Sequence, residues 1–227
     1  MSIAIAKTVR KPEFWFMLAT LIIVLAVGFI SDLLKLGWKS GWVLAVGMYF
    51  IILIFAFITS DGFLKKLLVF GLTAGIVELL ADAWLVQSTG TLIYAHGEPM
   101  IAFSPQYMPF AWAVILTQVG YLGWVIGGIE KVSVTIIITA ILGFAVIPLF
   151  EFWAKGAGWW YYKDTPMFLN TTPYFIAAGE ALLCAILPVF FKIIIKKGVL
   201  IAVLFGILEG LWIWGSYFLF YRLFQPL

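Results

Sequence analysis

The chain has 227 residues, 64% hydrophobic and 11% charged, with a mean hydropathy of +1.12. A soluble domain carries roughly 25% charged residues, so this composition excludes a soluble globular enzyme. It predicts an all-α polytopic membrane protein, with residues 1–227 forming a single seven-helix transmembrane domain. The formal charge of +3 sits in short basic flanks, where it signals topology, and no nucleic-acid partner is expected.

Along the chain, Lys7, Arg10 and Lys11 precede an apolar run from Phe14 to Ile30. That run is long for the core of a signal peptide, and Ala26-Val27-Gly28 is a poor cleavage site, so it reads as an uncleaved first helix. Apolar segments follow one another at 14–34, 41–60, 66–88, 107–129, 132–153, 172–195 and 198–221. Each holds roughly 20 residues, enough to cross about 30 Å of hydrocarbon at 1.5 Å per residue. The connections are short except at 89–106 and 154–171.

With the amino terminus inside, the inner segments carry Lys7, Arg10, Lys11, Lys65, Lys66, Lys131, Lys192, Lys196 and Lys197. The outer ones keep Lys35, Lys39, Lys155, Lys163 and Arg222. Nine against five predicts N-terminus in and C-terminus out, in a prokaryotic cytoplasmic (inner) membrane. Both long loops then face outward. The first contains the single histidine, His96, with Glu98, Pro99 and Pro105. The second carries Trp159, Trp160, Tyr161 and Tyr162, which read either as interfacial anchors or as a lid over an outward-opening cavity.

Of only 11 acidic residues, Glu78, Asp82, Glu151, Glu180 and Glu209 fall within or at the end of apolar segments. A carboxyl at a helix centre costs about 2.5–3.5 kcal/mol on insertion scales, so such a group tends to face an interior cavity and to carry function. Glu78 and Glu209 stand roughly 17–18 Å above the inner boundary, and Glu180 about 12 Å below the outer one, at 1.5 Å per residue. These depths coincide, with Asp82 one turn above Glu78 and Glu151 near the outer end of its span. No lysine or arginine stands at that level, so the carboxyls cannot all be ionised; proton donor, proton relay and cation ligand all remain open as roles. Nearby aromatics, among them Trp84, Trp153, Trp212, Trp214, Tyr94, Tyr107, Trp112, Tyr121, Trp124 and Tyr174, and the polar Gln118, can stabilise positive charge or donate hydrogen bonds.

Gly75-Ile-Val-Glu78 echoes Gly206-Ile-Leu-Glu209, which hints at duplicated half-bundles. Gly71 with Gly75, and Gly123 with Gly127, have the spacing of close helix contacts. Cys184 is the one cysteine; it makes no internal disulfide, supplies no zinc set with one histidine, and reads as packing.

Several activities are excluded. The seventh span has no lysine for a retinal Schiff base. One loop histidine does not make the cluster of a membrane desaturase. Metalloprotease, Ser-His-Asp and phosphate-loop motifs are missing, and no arginine lies within a span to sense voltage. Glu78-x-x-x-Asp82 is a single carboxyl pair, whereas membrane prenyltransferases hold magnesium–diphosphate with two such motifs.

Seven short helices, intramembrane acids and an aromatic interior together resemble the small integral-membrane cyclases of isoprenoid metabolism, lycopene-cyclase-like proteins and seven-helix terpene cyclases. The resemblance implies protonation of an alkene or epoxide by a carboxylic acid, with the carbocation guided by aromatic faces and no metal or cofactor. On it, Glu78 or Asp82 is the proton donor, and Glu180 or Glu209 its partner or the terminal proton acceptor. Glu151 shapes the mouth, and Trp84, Trp153, Tyr174 and Trp212 line the path of a hydrophobic small-molecule substrate entering from the lipid bilayer. Two other classes stay open: a proton- or cation-coupled transporter or channel using the same carboxyls, and a non-catalytic membrane subunit or lipid- or pigment-binding scaffold. A homo-oligomer or a membrane partner subunit is compatible with each.

Overall fold

The computed structural model describes residues 12–128 and 131–224; the basic flank of Lys7, Arg10 and Lys11 lies outside the described residues. In hydrocarbon each backbone polar group must be satisfied within its own segment, so long apolar runs become helices. Among the described residues seven are long and apolar enough to cross a membrane. They are α1 (Pro12–Leu34), α2 (Trp38–Ile58), α3 (Gly62–Ala83, continued by a π-helical segment Trp84–Thr89), α4 (Met108–Gly127), α5 (Val132–Ala157), α6 (Tyr174–Ile194) and α7 (Val199–Phe224). Leu33, Ile58, Leu200 and many other large apolar side chains lie on the outer surface, as suits a lipid-facing bundle.

Helix ends are closed locally. Asp61 caps α3, its Oδ1 accepting from the Phe63 and Leu64 amides at 2.9 and 3.0 Å. Lys66 donates to the carbonyls of Ile194 and Ile195, at 3.3 and 3.2 Å, where the end of α6 leaves acceptors free.

The two long loops are not loose. The first forms β1 (Leu92–Tyr94), β2 (Met100–Ile101) and β3 (Ser104–Pro105); the second forms β4 (Trp160–Tyr162), β5 (Met167–Phe168) and β6 (Thr172–Pro173). In both, a helix ends on a left-handed glycine, Gly90 or Gly158, and a strand follows that ends in tyrosine, Tyr94 or Tyr162. A small hairpin then pairs Met100 with Pro105, or Met167 with Pro173, before the next helix starts.

The strands β1 and β4 pair antiparallel, with Ile93 opposite Tyr161. Counted from Gly90 and Gly158 these two residues are equivalent, so a local two-fold axis passes between them. The flanking bonds obey it: the Ala95 amide donates to the Trp159 carbonyl at 3.1 Å and the Lys163 amide to the Thr91 carbonyl at 2.9 Å. The chain therefore contains a repeated unit, α3–hairpin–α4 and α5–hairpin–α6. Its correspondence differs from the α3/α7 echo that the sequence suggested. Under it, Asp82 matches Glu151, Glu78 matches Ile147, and Trp112 matches Glu180; the π-helical segment absorbs one extra residue in the first copy.

Close helix packing follows the glycine spacing. Gly71 and Gly75 of α3 lie against Ala113 and Pro109 of α4, while Gly123 and Gly127 of α4 face Thr139 and Thr135 of α5. A Cβ on Gly75 would stand 2.6 Å from the Pro109 carbonyl oxygen. Gly75→Ala is therefore expected to lower stability by about 1–3 kcal/mol. Gly47→Ala, whose Cβ would meet nothing within 4 Å, is expected to be neutral or stabilising by up to about 1 kcal/mol. Chemical unfolding in detergent micelles checks both, and a Gly75→Ala chain as stable as the parent would contradict the close α3–α4 approach.

Candidate functional site

The two halves of the repeat meet around one cavity, in the half of the bundle beneath the paired hairpins. Its walls include Glu78, Asp82, Glu151 and Glu180, with Tyr94, Tyr107, Trp112, Trp159, Trp160, Tyr162 and Tyr217. Val24 of α1 and Gly41, Leu44 and Ala45 of α2 close it on the remaining side. The cavity is about 110 Å³ and partly open, and the empty space within and before it reaches about 870 Å³. No lysine, arginine or histidine is among its lining residues.

The hairpins hold two of the carboxyls in place. The Tyr94 hydroxyl donates to Asp82 Oδ2, and Trp160 Nε1 donates to Glu151 Oε2 at 2.7 Å. Tyr162 also stands beside Glu151, and Ser104 beside Asp82. Equivalent carboxyls are thus met by aromatic donors from equivalent strands. In α7, Tyr217 donates to Glu180 Oε1. The Glu78 carboxyl lies against that of Asp82. One oxygen of Glu78 and one of Glu180 are left without a hydrogen-bond partner, and both residues are buried, at 1% and 0% exposure. Trp159 is fixed from behind, its Nε1 donating to Ser40 Oγ at 2.9 Å.

At the other end the bundle is solid. Phe63, Phe70 and Trp124 pack around Phe191 with ring centroids 5.6–6.4 Å apart, and Gly120 admits the Phe191 ring against its backbone. Gln118, Tyr121 and Trp124 belong to this packed half rather than to the cavity wall.

Of the expected site residues, the structure brings together Glu78, Asp82, Glu151 and Glu180, and Glu151 stands within the wall rather than only at the mouth. Glu209 does not line the cavity; it is fully buried beside Glu180 and Cys184, with neither carboxyl oxygen hydrogen-bonded. The four aromatics Trp84, Trp153, Tyr174 and Trp212 are also elsewhere. Trp84 packs on Phe218 and Tyr221, Trp153 on Phe29 and Phe150, and Tyr174 on Phe168 and Phe224. Trp212 is 37% exposed, with Nε1 donating to the Leu182 carbonyl at 3.4 Å. The reason is helical geometry: Trp84 and Trp153 are each two residues from a cavity acid, and positions i and i+2 point to different sides.

Tyr217 was missed, and no local pattern marks it. Trp160 and Tyr162 carried a signal that helix periodicity does not report, the match of Gly158-Trp-Trp-Tyr-Tyr162 to Gly90-Thr-Leu-Ile-Tyr94. Among the described residues no three of His, Cys, Asp or Glu stand together as ligands for one metal ion. Cys184 is buried and packs against Gly143, as a structural thiol does.

Residues 79–224 match the family described as a domain of unknown function, DUF6989, and the chain belongs to that family. The match takes in both hairpins and three of the four cavity carboxyls, Asp82, Glu151 and Glu180, and begins one residue after Glu78. No curated protein and no solved structure matches the chain.

Outside the helices, Glu98 is buried in the first hairpin loop next to Tyr107, whose ring forms part of the cavity wall. Burial pushes its carboxyl up from 4.5 to about 7. The Tyr107 phenol is pushed up too, by burial first and then by the Glu98 charge. Because the folded chain holds the Glu98 proton more tightly than the unfolded one, the contribution of Glu98 to stability falls as pH rises from about 4.5 to about 7 and is level on either side. Glu98→Gln is expected to remove that fall. Thermal unfolding measured between pH 4 and pH 8 (roughly the span over which such a group titrates) tests this, and superimposable parent and variant profiles would refute it.

Proposed function

We propose that this protein is an integral-membrane acid catalyst that cyclises or isomerises an uncharged isoprenoid or lipid-like substrate. The observation that carries the reading is the composition of the cavity wall: four carboxyls from three helices, tyrosine hydroxyls and aromatic faces, and no basic side chain. Such a site can give a proton and take one back, and it offers nothing to neutralise a phosphate. Its void supports a division of the substrate. A cavity of about 150 Å³ holds benzene, so about 110 Å³ is too small for a whole isoprenoid, and the rest of the substrate lies in the open space beyond it.

In the reaction, a carboxylic acid of the Glu78–Asp82 pair protonates a terminal alkene carbon. The neighbouring π bond closes a ring on the resulting cation, and loss of a C–H proton to a carboxylate of the second repeat, Glu151 or Glu180, restores neutrality. Substrate and product are isomers, and the catalyst ends with its proton count unchanged. Tyr94, Trp160 and Tyr217 position the carboxyls, and Trp112 and Trp159 offer faces to the cation. With the amino terminus inside, as the lysine distribution favours, the cavity occupies the outer half of the membrane.

The test is turnover in deuterated water. Purified chain in nanodiscs is given squalene or another acyclic polyprenyl polyene, and the expected product is an isomer carrying one solvent deuteron on carbon. Glu78→Gln, Asp82→Asn, Glu151→Gln and Glu180→Gln are each expected to lower its rate by about a hundredfold or more, the scale of general acid–base catalysis. Undiminished turnover in all four would sink the reading. Proton or cation flux across liposomes containing the chain would favour the transporter alternative instead. Carboxyl variants that alter assembly with a membrane partner, and nothing else, would mark a non-catalytic subunit.

A further inference from the structure

The four cavity carboxyls are not alike in what they have left to offer. Asp82 and Glu151, the pair related by the repeat, are engaged by Tyr94 and Trp160. Glu78 and Glu180 have no acidic counterpart across the two-fold: opposite Glu78 stands Ile147, and opposite Glu180 stands Trp112. Each of these two keeps an oxygen that nothing in the protein satisfies. One residue comes from each copy of the repeat and both line the same cavity, with the unpaired oxygens below its surface. A buried carboxyl oxygen without a partner is costly, and more so when the group is ionised; a cation placed between the two would offset that cost where no lining side chain does.

The kind of cation follows from the rest of the wall. A small hard ion such as Mg²⁺ or Ca²⁺ wants about six or more oxygen ligands at short range, and the acids here do not group as metal ligands. A quaternary ammonium has no N–H to satisfy, sheds water readily and is held by the faces of aromatic rings together with a carboxylate. Trp112, Trp159 and Trp160 provide such faces, and Leu44, Ile115 and Phe150 provide apolar surface for an alkyl chain.

We propose that the cavity is a binding site for a lipophilic quaternary ammonium ion, its head held between Glu78 and Glu180 and its alkyl chain leaving through the mouth. The site needs the cavity but not the reaction, so binding and turnover stand or fall separately.

Equilibrium dialysis of the full chain in uncharged maltoside micelles, with tritiated hexyltrimethylammonium as probe and protein-free micelles as blank, measures it. Saturable uptake of one probe per chain is expected. Its uncharged carbon isostere, 2,2-dimethyloctane, is expected not to displace it at equal concentration. Glu78→Gln and Glu180→Gln, which preserve shape, are each expected to weaken binding about tenfold or more, as loss of a buried charge partner does. Absence of saturable uptake, equal displacement by the isostere, or unweakened binding in either folded variant overturns the proposal. Should a variant fail to fold, the contrast between the charged probe and its isostere on the parent chain still decides it. Ammonium binding without any deuterated product would sink the catalytic reading alone, and turnover without ammonium binding would sink this one alone.

Discussion

A carboxyl between lipid-facing helices has no water to turn to, so its position depends on a donor brought to it by another part of the chain. Here that donor comes from outside the spans. The pairing of β1 with β4 sets Tyr94 over Asp82 and Trp160 over Glu151, while Tyr162, the mate of Tyr94 across the local two-fold between Ile93 and Tyr161, also stands beside Glu151. Four backbone groups, those of Thr91, Ala95, Trp159 and Lys163, close the pairing at its ends. Breaking this small sheet would remove both donors together, which ties the acid site to the two hairpins.

The symmetry also gives the π-helical segment a reason. Asp82 lies one residue farther from Gly90 than Glu151 lies from Gly158. A π-helical turn takes up an additional residue without breaking the helix, and Trp84–Thr89 does so between the acid and the hairpin. The carboxyl and the strand thereby keep the same relation in both copies. The two-fold is broken inside the site, where Glu78 and Glu180 replace the apolar or aromatic residue of the other copy. The proposed reaction, which gives a proton at one place and removes one at another, would gain from such a break, because two identical half-sites would compete for the same role.

The packing beyond the cavity differs from its wall. Phe63, Phe70, Trp124 and Phe191 pack together in the opposite half of the bundle, and Gly71 and Gly75 let α4 approach α3 closely. In the first hairpin loop Glu98 sits beside Tyr107 of the cavity wall, its carboxyl pushed up to about 7 by burial.

The sequence by itself determined the seven spans, because runs of some twenty apolar residues have no other stable form in hydrocarbon, and it marked Glu78, Asp82, Glu151 and Glu180 as interior, because an acid in such a run is costly anywhere else. Helix contacts through Gly71, Gly75, Gly123 and Gly127 were legible for the same kind of reason, a missing side chain at one-turn spacing. What periodicity along one helix does not encode is which side of it meets a common void: Glu209 matched the others in depth yet lies behind the wall, and Trp84, Trp153, Tyr174 and Trp212 were close to the acids or the mouth only along the chain. Tertiary structure alone decided the partners, since Tyr94, Trp160 and Tyr217 reach their carboxyls across sequence separations that only the folded backbone closes, two of them through a strand pairing whose register is set by hydrogen bonds between distant loops.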